Sequence, residues 1–246
     1  MLGSIQKTFR NLGEFVFPAS CRICRERLSF DPELSTEGEN GGLICSTCEK
    51  VSSRLVAPFC AVCRQVLPEQ TLSCSNCQKP EGIGVFGFGL FDLYNRELLH
   101  RFKYYGDRPT GDFLGQGLGN LVASSKNQHS WDAVVPVPLH WTRKWSRGFN
   151  QSSILAEAVS KTLGAPVLAA LRRVKRTRDQ TKLSRQKRLE NVRGAFRVVK
   201  DVQGKKLLLL DDVTTTGATL EECRRVLIAA GAAEISAAVV ALAYEN

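Results

Sequence analysis

Apolar positions along this 246-residue chain follow two rhythms, and the change from one to the other marks out its elements. The densest run is Leu207-Leu208-Leu209-Leu210, bounded by lysines before it and by Asp211 and Asp212 after it. A strand with one wet face would alternate apolar with polar residues, so four in succession predict a strand buried on both faces. Over 218–230 the rhythm becomes helical, with Leu220, Cys223, Val226, Leu227 and Ala230 on one stripe. Upstream, the pattern predicts a strand over 85–93 with Phe86, Phe88 and Leu90 on one side, then a helix over 95–103 carrying Leu98, Leu99 and Phe102. A helix over 111–124, loosened by four glycines, follows, and then a short strand over 132–139 ended by Pro136 and Pro138. A helix over 152–163 and strands over 195–199 and 234–242 complete the series. Strand and helix in alternation predict an α/β fold, a parallel sheet flanked by helices.

The region before residue 82 has a different texture. Over 1–18, Ile5, Phe9, Leu12 and Val16 form one helical face before Pro18, so an N-terminal amphipathic helix is expected. Its polar face carries only Lys7 and Arg10 as basic residues, which favours packing on the protein over lying on a membrane. No apolar run reaches the roughly 20 residues of a membrane span, and no signal-peptide core interrupts the charges near the N-terminus, so a cytoplasmic location is expected.

Eight of the nine cysteines form Cys-x-x-Cys pairs: Cys21 and Cys24, Cys45 and Cys48, Cys60 and Cys63, Cys74 and Cys77. That spacing lets two thiolates grip one tetrahedral ion, and four such pairs point to two structural Zn²⁺ sites rather than to disulfides or thioredoxin-like redox chemistry. Pairing neighbours closes the shortest loops and gives two successive ribbons, while an interleaved cross-brace is the alternative. The module over 19–80 has little apolar core of its own, so the metal must supply its folding energy. A boundary near 79–84 then opens the α/β domain over 82–246. Cys223, on the apolar stripe of the last helix, reads as core.

Charge changes the picture in one place. Between Arg172 and Lys206 there are fourteen Lys and Arg against Asp179, Glu190 and Asp201, a surplus of 11 in a chain whose net charge is +10. One basic segment must therefore meet an anion: pyrophosphate, nucleic acid or both. Residues 172–191 are polar and poor in large apolar side chains, as suits a lid that closes over a charged substrate, with Arg178 and Lys182 among its cations.

The chemistry concentrates at the end of the leucine run. Asp211 and Asp212 can accept hydrogen bonds from vicinal hydroxyls, while Thr214-Thr215-Thr216-Gly217-Ala218-Thr219 leads into a helix N-terminus that favours an anion. A phosphorylated sugar fits both halves. After the strand over 132–139, a basic loop brings Arg143 and Arg147 to the same sheet edge, suited to pyrophosphate, and Asn150 or Gln151 can cap the next helix or touch ligand. None of His100, His129 and His140 has a partner implied by spacing, so no general base is assigned.

Residues 207–219 resemble the phosphoribosyl-pyrophosphate (PRPP) motif of type I phosphoribosyltransferases. The resemblance implies that Asp211 and Asp212 bind the ribose 2′- and 3′-hydroxyls and that residues 214–219 hold the 5′-phosphate, although Thr214 stands where many members carry an apolar or aromatic residue. The whole layout is similar to the ComF family, through the four cysteine pairs, Phe102-Lys103-Tyr104, Val135-Pro136-Val137-Pro138-Leu139, Arg147-Gly148-Phe149-Asn150-Gln151 and the series Gln180, Leu183, Arg188 and Asn191. That similarity implies a type I phosphoribosyltransferase fold behind a double zinc ribbon, PRPP bound with Mg²⁺, and a role in bacterial competence, DNA uptake or DNA utilisation. Two activities are compatible with it: transfer of ribose 5-phosphate to an acceptor that no motif names, or a non-enzymatic adaptor that binds single-stranded DNA and competence or DNA-processing proteins, with PRPP as regulatory ligand.

Overall fold

The computed structural model describes residues 20–28, 43–51, 55, 58–61, 63–67, 74, 83–125, 130–139, 148–175 and 185–243. The amphipathic helix expected over 1–18 lies outside them. The chain divides into two compact units, Met1–Ser52 and Ser53–Asn246, so the division falls inside the cysteine-rich stretch.

Among its described residues the smaller unit has one short helix, α1 (Ser46–Val51), and an isolated antiparallel bridge between Ser20 and Arg27. The larger unit is built on a five-stranded sheet of β1 (Phe59–Cys60), β2 (Gly84–Leu90), β3 (Ala133–Pro136), β6 (Lys206–Thr214) and β7 (Glu234–Leu242), in spatial order β1-β2-β7-β6-β3. Only β1 runs antiparallel; the other four strands are parallel, as strands joined through helices must be. The register sets Val85, Ala237, Leu209 and Val135 in one row across the sheet, and all four are fully buried. Burial on both faces explains why Leu207 to Leu210 do not alternate, and it extends to β2, where Val85 is as buried as Phe86.

Helices α2 (Leu93–Tyr104) and α3 (Arg108–Ser124) carry the chain from β2 to the opposite edge at β3. Asp92 and Asp107 start them by accepting the N–H groups of Asn95 and Thr110. The glycines of α3 serve close packing, where the sequence suggested loosening. A methyl on Gly115 would lie 2.6 Å from Cβ of Ala158, and one on Gly119 2.8 Å from Thr162, so these positions let α3 lie directly against α4 (Gln151–Leu163).

A second departure concerns the basic segment. The strand expected over 195–199 is β5 (Phe196–Val198), and it pairs antiparallel with β4 (Leu171–Arg173) in a separate two-stranded ladder rather than joining the main sheet. The segment between them includes α5 (Arg185–Val192), which packs on α6 (Ala218–Ala229) and buries Arg188. Part of the segment expected as a lid is thus a helix packed on the body of the unit. Among the described residues, no helix is long and apolar enough to cross a membrane.

Candidate functional site

The site begins where β6 stops being apolar. The strand continues through Asp211, Asp212 and Val213, all partly exposed, to the buried Thr214. It can run on because β7 is equally long, with Asp211 opposite Val239 and Thr214 opposite Leu242. Both carboxylates thus stand on a paired strand at the carboxyl edge of a parallel sheet, where open α/β sheets bind ligands. β3 lies next to β6, so the loop after Pro136 opens at the same edge, as the sequence led one to expect.

Neighbouring helices converge on the pair. Ser152, in the first turn of α4, donates its hydroxyl to Asp211 Oδ1 at 3.1 Å, and the backbone N–H of Asp212 donates to the same oxygen at 2.9 Å. Lys103, in the last turn of α2, brings Nζ to 2.8 Å from Asp212 Oδ2. Burial and the adjacent Asp212 charge push Asp211 up to about 7, against the pull of its hydrogen bonds and of Lys103. Asp212 thus faces Lys103 in an ion pair, while Asp211 holds its proton more tightly than a free carboxyl.

Beyond the acids, the chain makes a tight turn into α6. The Thr214 carbonyl accepts the N–H of Ala243 at 2.9 Å, Thr215 Oγ1 accepts Arg188 Nη1 at 2.6 Å, and Thr216 Oγ1 accepts the N–H of Ala218 at 3.4 Å. Gly217 takes φ +74°, a left-handed conformation in which any side chain is strained. Starting α6 directly after it leaves first-turn N–H groups without intrahelical acceptors, at the positive end of the helix dipole. Carboxylates for hydroxyls, and amides, hydroxyls and a buried guanidinium for an anion, are thus gathered over a few residues. Asn150 and Gln151, expected to cap or to touch ligand, start α4; the Asn150 side chain donates to the Val137 carbonyl at 3.2 Å and ties the helix to the end of β3. Phe149 packs its ring against Phe102. Arg143, Arg147, Arg178 and Lys182 lie outside the described residues.

Sequence reasoning gave no role to Ser152, Lys103 or Arg188. Lys103 and Arg188 sit in short motifs whose combination singled them out, but nothing local says that they meet an aspartate and a threonine distant in sequence. Cys223 is fully buried, as its place on the stripe suggested.

The cysteines gather by neighbouring pairs. The sulfurs of Cys21, Cys24, Cys45 and Cys48 lie within 4.8 Å of one another, as do those of Cys60, Cys63 and Cys74, while Cys77 lies outside the described residues. Cys24 and Cys45 are 3.7 Å apart and Cys63 and Cys74 3.4 Å apart, and neither pair is disulfide-bonded. A tetrahedral ion with sulfurs at about 2.3 Å sets those sulfurs about 3.8 Å apart, so both clusters have the dimensions to hold a metal. The two first pairs form the same knuckle. Arg25 N–H donates to the Cys21 carbonyl and Arg64 N–H to that of Cys60, each at 3.0 Å, and both arginines take φ +66°. That conformation costs a non-glycine residue about 1–2 kcal/mol, a strain that ligation can offset. Burial alone would push the Cys21 thiol up, but N–H groups of Cys45, Cys24 and Ile23 bring it down to about 6, favouring the thiolate that binds metal.

Comparison with known proteins adds an independent view. The family model for the phosphoribosyl transferase domain matches residues 150–245, which span α4 to the end of β7. Competence protein F of Haemophilus influenzae is 31% identical over 228 residues, covering 89% of this chain and 95% of that protein. The DNA utilization protein YhgH of Salmonella typhimurium is 30% identical over 224 residues, covering 89% and 94%. Competence protein ComFC of Streptococcus pneumoniae is 29% identical over 222 residues, covering 87% and 96%.

Proposed function

Because this chain belongs to the ComF family of competence and DNA-utilisation proteins, with a cysteine-rich module and a type I phosphoribosyltransferase fold, we propose that it binds PRPP at the carboxyl edge of its sheet and acts in DNA uptake or utilisation. The observation that carries this reading is the succession on β6 and α6: two carboxylates on a paired strand, then a threonine turn and a left-handed glycine opening a helix. Asp211 and Asp212 accept from the ribose 2′- and 3′-hydroxyls, with Ser152 and Lys103 fixing their orientation. The turn of Thr214, Thr215, Thr216, Gly217, Ala218 and Thr219 takes the 5′-phosphate, with Arg188 behind Thr215 adding positive charge. Arg143 and Arg147, with Arg178 and Lys182 from the basic segment, are the pyrophosphate ligands.

In the transfer reaction the acid pair and turn hold the sugar in place while the bond from its anomeric carbon to pyrophosphate breaks and the bond to the acceptor forms. Positive charge grows on the sugar ring, and the nearby carboxylates stabilise it. Mg²⁺ carried with the diphosphate would supply neutralisation of charge on the departing pyrophosphate, which Arg143, Arg147, Arg178 and Lys182 would otherwise bear alone. The two cysteine clusters carry Zn²⁺, the second completed by Cys77, as closed four-thiolate sites that shape the fold rather than react.

The basic segment also supports the adaptor reading, in which the protein binds single-stranded DNA and PRPP acts as regulator. Three measurements test the site and then separate the two readings. PRPP with Mg²⁺ should bind saturably and be displaced by ribose 5-phosphate but not by ribose; displacement by ribose alone would contradict a phosphate turn. Pyrophosphate release with a base, a nucleotide or single-stranded DNA as acceptor supports transfer. PRPP binding without release across that panel, together with salt-dependent DNA affinity, supports the adaptor.

A further inference from the structure

The second cysteine cluster is joined to the β6–α6 turn at both ends of the turn. Its knuckle begins at β1, which pairs with β2 through Phe59 opposite Val85 and Cys60 opposite Gly84. Ala61, within the knuckle, is fully buried and donates its N–H to the Ile83 carbonyl at 3.2 Å. Its own carbonyl oxygen lies 2.8 Å, and its Cβ 2.9 Å, from where a methyl on Gly217 would sit, so the knuckle backbone rests directly on the glycine that opens α6. At the other end of the turn, Arg64 Nη2 donates to the Ala243 carbonyl at 3.3 Å, and the N–H of Ala243 donates to the Thr214 carbonyl at 2.9 Å. Two residues of one Cys-x-x-Cys knuckle thus bracket residues 214–217, one by packing and one through a two-bond relay.

We propose that the knuckle carrying Cys60, Ala61, Cys63 and Arg64 positions the anion turn, with Ala61 and Arg64 as positioning residues, so that metal held by Cys60, Cys63 and Cys74 sets how well the turn binds phosphate. Arg64 reaches Ala243 from a left-handed backbone, and ligation of the flanking thiolates holds that conformation. Losing the ion frees Arg64 to relax, which releases the relay to Thr214 and lifts Ala61 from Gly217. The sheet, anchored by its own apolar rows, stays folded. This inference rests on the reading of the turn as a phosphate site, and its test has a readout that needs no phosphate.

Amide hydrogen exchange of residues 212–220 is measured in full-length wild type, Cys63→Ser, Arg64→Asn and, for metal loss in the other compact unit, Cys24→Ser, with zinc content and PRPP affinity in the presence of Mg²⁺ determined on the same samples. Cys63 is exposed, so its serine variant leaves the core intact, and Asn tolerates the left-handed backbone while being too short to reach Ala243. Cys63→Ser should lose one zinc, exchange faster across 214–217 and bind PRPP about tenfold more weakly, a coupling typical of residues in contact. Arg64→Asn should keep both zincs, speed exchange at 214–215 and weaken PRPP by about threefold. Cys24→Ser should lose one zinc and leave 212–220 as in wild type. Unchanged exchange in Cys63→Ser and Arg64→Asn, or an equal change in Cys24→Ser, would overturn the proposal. Failure of wild type to bind PRPP would instead strike at the phosphate reading, leaving the exchange result to judge the coupling.

Discussion

The first cysteine cluster belongs to a compact unit whose regular structure, among the described residues, is one six-residue helix and a single bridge, whereas the second begins on a strand of the five-stranded sheet. The ligand chemistry is the same in both, down to the left-handed arginine after each first pair. What differs is the surroundings. Around the second cluster, Phe59, Cys60 and Ala61 are at most 4% exposed and the first and last join a core that includes Val85, Leu209 and Ala237. A metal in the first setting substitutes for a core; in the second it trims the edge of one that already exists. Identical motifs therefore carry different consequences, decided by what the neighbouring residues bury.

The largest effect expected from this contrast is on removing metal. Stripping zinc, whose binding contributes about 10–16 kcal/mol to folding of small metal modules, should unfold residues 20–28 and 43–51 while the sheet remains. Two-dimensional NMR should show collapsed dispersion for that unit alone, and retained dispersion in both units would erase the contrast. The reverse experiment is Leu209→Ala, which opens a cavity in the central row and should cost about 2–5 kcal/mol in the larger unit. Denaturant unfolding followed beside zinc content should show the metal of the first cluster retained.

Smaller effects concern the acid pair. Lys103→Met removes the cation facing Asp212 and leaves two adjacent carboxylates half-buried, so PRPP affinity should fall by about tenfold or more, as for a broken charged hydrogen bond. An unchanged affinity by calorimetry would remove Lys103 from the site. Asp211 gives a pH signature. Its carboxyl is raised from 3.8 to about 7 in the folded protein, so the folded form holds a proton that the unfolded form loses above about pH 4. Stability should therefore decline from pH 4 to 7 relative to Asp211→Asn and run parallel above it, as read from Tm. PRPP affinity should rise through pH 7 as the carboxylate becomes available.

Much of the larger unit was legible because its signals are local. The leucine run, the stripe over 218–230 and the acid pair between them each report burial or chemistry within a dozen residues, and β6, α6 and β7 appear where those patterns put them. Partners were not legible. The strand expected over 195–199 carries no sign that β5 pairs with β4 instead of the main sheet. Nothing around Phe59 announces that it will lie opposite Val85, and the glycines of α3 read as weakness until α4 is laid against them. Lys103 and Arg188 reach the site only through the tertiary fold, which brings α2 to the acid pair and α5 to the turn after it.

The central claim, that Asp211 and Asp212 hold the ribose of PRPP, is tested most directly by calorimetric titration of PRPP with Mg²⁺ into wild type and Asp211→Asn/Asp212→Asn protein of matched zinc content. Saturable binding in wild type and none in the double variant is the predicted result, and equal affinity in the two proteins would contradict it.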